Sequence, residues 1–225
     1  MRCGPDRRGG PSAPSRLTGG TVGLAIQGSA TFSACGQHRP RLDRWWSDAP
    51  RALVCAANPS RADAARQDPT NCRLVALLRG RPGIGGYTLV NAEDRITPHP
   101  EALRRWLAGL TPAARAARRE ANLAVIRALA SAAPLRVAAW GTLLAPGPDQ
   151  ERLVAALTLD GAHDLYAFGL TAEGAPIHPL ARGRWRVPLG APLVLWRRGS
   201  GRAPPFPGAA SHPAVPGRED GPSRP

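Results

Sequence analysis

No stretch of this sequence approaches the ~20 consecutive apolar residues that a membrane-spanning helix needs, so a helical membrane protein is excluded. Lysine is absent, and all 30 basic residues are arginine. The four cysteines, Cys3, Cys35, Cys55 and Cys72, form no C-x-x-C pair. Free thiols in a reducing cytoplasm are the simplest reading. The five histidines stand singly, which argues against a metal centre, and no cofactor is expected. Also missing are the G-x-G-x-x-G fingerprint, the Walker loop, the G-x-S-x-G elbow and any internal repeat.

Glycine and proline, by contrast, number 25 each, far above the ordinary share. They concentrate in residues 1–28 and 198–225, where no apolar period could offset the entropy of ordering the chain. Both segments read as disordered tails around one domain spanning 29–197. Arg2, Arg7 and Arg8 precede a weakly apolar stretch ending at Cys35, a pattern faintly like a lipoprotein signal, but Gln27 and several glycines interrupt it. A cytoplasmic location follows as the expectation. The net charge of +14 suggests a polyanion partner, nucleic acid or nucleotide. GC-rich coding bias, however, yields the same mixture of Arg, Ala, Gly and Pro. The excess is not confined to the tails, since 29–197 holds 22 Arg against 13 acidic residues.

Within the domain, short apolar runs alternate with helical stretches. Strands are expected over 51–57, 87–91, 135–141 and 165–170, with a final edge strand over 193–196. Helices are expected from Asp68-Pro69 to Gly80, over 101–110, from Thr111-Pro112 to Ala133, and over 148–157. This order predicts an α/β fold, a three-layer sandwich with a mostly parallel central sheet flanked by helices. In such sheets ligands gather at the carboxyl ends of strands. Four polar features sit there: Asn58-Pro59-Ser60 with Asp63 and Asp68, Asn91, Trp140-Gly141, and His178-Pro179-Leu180.

Each has an ordinary explanation as well. Asn58 suits an Asx turn before proline, and Asp68 a helix cap. Asn91 either reads the edge of a heterocycle or satisfies backbone groups at the strand end. His178 is either an inert loop residue or a group that stabilises a leaving anion, with Leu180 beside it as an apolar wedge.

Five spaced motifs occur in the order of one family: Asn58-Pro-Ser-Arg-Ala-Asp63, Asp68-Pro-Thr-x-x-Arg73, Val90-Asn91, Ala139-Trp-Gly141 and Gly174-x-Pro-x-His-Pro-Leu180. With Thr31-Phe-Ser-x-Cys35, Arg39 and Leu42-x-Arg44-Trp45, the chain resembles the bacterial family called domain of unknown function 1643. It departs from that pattern at Arg61 for Thr, Ala181 for Tyr, and His38 and Pro40 for two tyrosines. More distantly, the motif order is similar to the uracil-DNA glycosylase superfamily. That resemblance implies a glycosylase-like fold in which Asn58 orients water, Asn91 reads a base, His178 stabilises the departing base and Leu180 fills the vacated stack. Asp63 or Asp68 would assist, since an Asn cannot be a strong general base. Ser60, Arg73, Trp140 and Gly141 complete the expected substrate contacts. Two functions follow: nucleic-acid or nucleobase binding with N-glycosidic bond hydrolysis, or a non-catalytic ligand-binding or adaptor module.

Overall fold

The computed structural model describes residues 15–17, 25–60, 62–97, 99–201, 206–207 and 209. The sheet is built outward from β4 (Arg51–Ala56), whose last five residues are all buried. Near-continuous burial on both faces is what a central parallel strand requires. β4 pairs in parallel with β5 (Gly86–Asn91) on one side and β6 (Arg136–Ala138) on the other, and β7 (Leu165–Ala167) runs parallel beyond β6. Antiparallel strands extend both margins: β3 (Arg41–Trp45), β2 (Ile26–Thr31) and β1 (Ser15–Leu17) beyond β5, and β8 (Val194–Arg197) beyond β7. The order is β1-β2-β3-β5-β4-β6-β7-β8.

The fold is therefore α/β as expected, but the sheet is mixed and not mostly parallel. Only its four central strands run together. The sequence pattern hides the antiparallel margin because β2 and β3 are rich in polar residues and lack an apolar run. Arg44 on β3 is fully buried and reaches the backbone oxygens of Asp43, Asp63 and Arg66. On the opposite face Asp43 is buried among Ser29, Arg41, Arg51 and Thr88. These charged residues are inside because backbone carbonyls take up both terminal nitrogens of Arg44 and hydroxyl and guanidinium donors surround Asp43, although Arg44 Nε stays unpartnered among the described residues.

Side chains alternate between the faces. Val54, Tyr87, Leu89, Val137 and Tyr166 join one apolar cluster, which Leu74, Leu77 and Leu78 of α1 (Pro69–Leu78) cover. Leu53, Cys55, Val90, Ala138 and Leu165 join the other, covered by Ile126 and Ala130 of α3 (Pro112–Ala132) and Leu153 and Leu157 of α4 (Pro148–Thr158). The short α2 (Pro100–Ala108) precedes α3. Prolines open all four helices, where a missing N–H costs nothing.

The tails expected over 1–28 and 198–225 lie mostly outside the described residues. Of those described, Ile26–Gly28 belong to β2, and Gly199 donates its N–H to Asp164 Oδ1 at 2.7 Å. Among the described residues no helix is long and apolar enough to cross a membrane.

Candidate functional site

The four parallel strands stand in the order β5-β4-β6-β7. From β4 the chain passes through α1 to β5 on one side; from β5 it crosses back through α2 and α3 to β6 on the other. Adjacent loops therefore leave β4 and β6 toward opposite faces, the arrangement that opens a crevice at the carboxyl ends of those two strands. Asn58, Pro59 and Ser60 leave β4 there, and Trp140, Gly141 and Thr142 leave β6.

Asn58 is anchored by its amide nitrogen, which donates to the Thr97 carbonyl at 2.7 Å and the Thr97 hydroxyl at 3.1 Å. Its Oδ1 remains without a hydrogen-bond partner among the described residues. Gly141 has φ +68°, and a Cβ placed there would lie 3.1 Å from the Cβ of His178. The glycine lets the His-Pro loop close onto the end of β6. Replacing Gly141 with Ala forces a left-handed L-residue against His178 and should cost about 1–2 kcal/mol, read as a lowered denaturant midpoint.

Burial pushes the His178 imidazolium below the ordinary histidine range, and the charge of Asp68 opposes this. Its Nδ1 accepts the Leu180 N–H at 3.1 Å. That bond assigns the proton of the neutral ring to Nε2, leaving one N–H to donate. His178, Gly141 and the exposed Leu180 line a cavity of about 490 Å³ with Trp185 and Arg184, whose guanidinium lies 4.9 Å from the Trp185 ring centroid.

The other expected residues divide differently. Asp68 caps α1: its Oδ1 accepts from the Asn71 backbone and side-chain nitrogens, both at 2.8 Å, and its Oδ2 accepts from Ser60 Oγ. Asp63 Oδ1 accepts the backbone N–H groups of Ala65 and Arg66 at 2.9 and 2.7 Å and shapes a turn. Arg73 donates to the Val187 carbonyl. Trp140 is fully buried, edge-on to Trp196 at 5.4 Å. Asn91 is 2% exposed, and its Nδ2 has no hydrogen-bond partner among the described residues. The structure thus joins Ser60 to Asp68 and Gly141 to His178, while Asn58 opens onto a separate cavity.

That second cavity, about 190 Å³, lies on the α3 and α4 face and was not foreseen. Glu93 lines it beside Asn58, held there by its backbone N–H donating to the Ala57 carbonyl at 3.0 Å, so the β4–β5 pairing continues past the strands. Burial raises the Glu93 carboxyl above its usual range, against the pull of Arg119 and Arg115. Arg119 bridges, at 2.7 Å from Asp149 and 3.8 Å from Glu93. The available signal was position: Glu93 stands two residues beyond Asn91 at the end of a buried strand.

Fold and geometry together define an α/β protein whose β4 and β6 loops lie at a topological switch point of the sheet. Its sequence places it more narrowly. The model of the family described as "Protein of unknown function (DUF1643)" matches residues 39–180, and the chain belongs to that family. No curated protein and no solved structure gives a significant match to the chain.

Proposed function

We propose that the chain binds a nucleobase, free or within a nucleic-acid strand, over the crest between β4 and β6 and hydrolyses its N-glycosidic bond, as a glycosylase-like α/β protein. The observation that supports this most directly is the packing of His178 onto Gly141 at the end of β6, with its proton on Nε2, while Asn58, its Oδ1 unpartnered among the described residues, follows the end of the neighbouring strand β4. Asn58 Oδ1 positions a water whose oxygen bonds to the anomeric carbon as the C–N bond breaks; the base leaves as an anion held by the His178 Nε2–H and takes up the proton that the water gives up. A neutral imidazole suits that role because it donates Nε2–H to the developing negative charge without carrying a charge of its own that burial would penalise. Leu180, 39% exposed, stands ready to fill the space of an extruded base, and Trp185 with Arg184 offers a stacking surface.

One observation favours a second reading, a non-catalytic binding module. Asn58 and His178 line different cavities, and the carboxylates of Asp63 and Asp68 are occupied by caps and turns. Incubation with a panel of modified DNA, RNA and nucleosides separates the two. Free base should appear with the native chain and disappear on Asn58→Ala with the fold retained. Salt-sensitive binding without any product assigns the module instead.

A further inference from the structure

The cavity beside Asn58 has a chemistry of its own. Leucines from α2, α3 and α4, among them Leu107, Leu123 and Leu153, make its floor. At about 190 Å³, below the roughly 300–1,000 Å³ of drug-sized sites, it has room for the base of a ligand, the remainder extending toward the exposed Arg104 and Arg115. Two polar groups on its strand side lack hydrogen-bond partners among the described residues, Asn58 Oδ1 and the Glu93 carboxyl, and as carboxamide oxygen and carboxylate both accept. On its helix side, Arg119 is engaged by Asp149, but Arg104 and Arg115 have no hydrogen-bond or ion-pair partner among the described residues. A ligand matched to this wall is flat and apolar on its faces, offers hydrogen-bond donors at one edge, and carries an anion.

We propose that this cavity binds a nucleoside monophosphate whose base bears an exocyclic amino group, the amino edge meeting Asn58 Oδ1 and Glu93 and the phosphate meeting Arg104 and Arg115. The assignment rests on the nucleobase reading above, because Asn58 borders both the crest and this cavity. Adenine and cytosine present such an amino group, whereas uracil presents a carbonyl oxygen in its place and would set acceptor against acceptor. A site whose buried groups need a partner discriminates strongly against an analogue that lacks one. The charged groups acting on Glu93 are Arg115 and Arg119 from α3, which favour its anionic form, and Asp149 from α4 and the neighbouring Asp94, which oppose it. The same ligand chemistry arises from a free mononucleotide or from one nucleotide of a strand.

Calorimetric titration of the full chain tests this with adenosine 5′-monophosphate, cytidine 5′-monophosphate, uridine 5′-monophosphate, adenosine, inorganic phosphate, and oligo-adenylate and oligo-uridylate eight nucleotides long. The two amino-bearing monophosphates should bind at least tenfold more tightly than the uridine compound or phosphate. The exposed double variant Arg104→Ala/Arg115→Ala should lose at least tenfold more affinity toward adenosine monophosphate than toward adenosine. Glu93→Gln, nearly isosteric and able to donate, should close most of the gap between adenosine and uridine monophosphates. A preference for oligo-adenylate over the mononucleotide identifies the source as a strand, and the reverse identifies a free nucleotide. The assignment is overturned if the folded chain binds none of these, binds uridine monophosphate as well as adenosine monophosphate, or is indifferent to the double arginine variant. His178→Ala should retain monophosphate binding. Base release without monophosphate binding therefore defeats this assignment alone, and monophosphate binding without base release defeats the hydrolytic reading alone.

Discussion

Asp68→Ala should lower stability by about 3 kcal/mol, of which about 1 is the lost helix cap and about 2 the buried donors left without an acceptor. Three donors converge on this carboxylate: Ser60 Oγ, the Asn71 backbone N–H and the Asn71 side-chain amide. Asn71 is fully buried and also accepts from Tyr87 Oη at 2.8 Å, so the damage spreads into the sheet. Asp68 is in addition the strongest favourable charge on Arg39, a 1%-exposed guanidinium that burial lowers to about 10. For a domain of this size the loss should appear as a fall of roughly 6–12 °C in melting temperature. Asp68→Asn keeps an acceptor for the helix N–H but removes the charge, and should fall between the two. A melting temperature unchanged in Asp68→Ala would show that the cap and its network carry no stability.

The pH dependence of the same residue has a definite sign. Burial, the largest influence on Asp68, pushes its carboxyl up, but the bonds from Ser60 and Asn71 and the charge of Arg39 outweigh it, and the group titrates below the ordinary carboxylate value. Its stabilisation is thus complete above the unfolded value near 3.9 and is lost as pH falls through the folded one. Melting curves of the native chain should drop on acidification below about pH 4, and Asp68→Ala should show a shallower drop there.

What was legible in the sequence was whatever a short-range pattern encodes. The apolar run of β4, the Asp-Pro start of α1 and the Thr-Pro start of α3 announce themselves because burial and capping act on neighbouring residues. β3 did not, since the burial of Arg44 depends on carbonyls some 20 residues away, at Asp63 and Arg66. The strand-end loops were also legible as a place. Individual roles there were not: Asp63 and Arg73 turn to backbone groups, Trp140 turns into the core, and Glu93 turns toward Asn58. Which way a side chain faces at a loop is settled by packing against distant elements, and no local spacing records it.

His178→Ala should reduce base release by about 10²-fold, the scale of removing one donor to a developing anion, while leaving the unfolding free energy within about 1 kcal/mol of native. The reason lies in how the ring is held. Its Nδ1 is engaged by the Leu180 N–H, so only Nε2–H faces the cavity, and burial keeps the ring neutral to a lower pH than an exposed histidine. Protonation would turn the Leu180 N–H against a second N–H and release the loop that carries the apolar wedge. The rate should therefore hold level as pH falls through the ordinary histidine range near 6.5 and decline only below it. Stability follows with the same sign: the unfolded chain binds this proton first, so the native state loses stability as pH falls from the unfolded value toward the folded one. His178→Gln, which keeps an N–H donor but does not titrate here, should recover part of the rate and remove the acid limb. A rate that instead declined with a midpoint at or above 6.5, or that was indifferent to both substitutions, would remove His178 from the chemistry and leave the loop as a structural closure over Gly141.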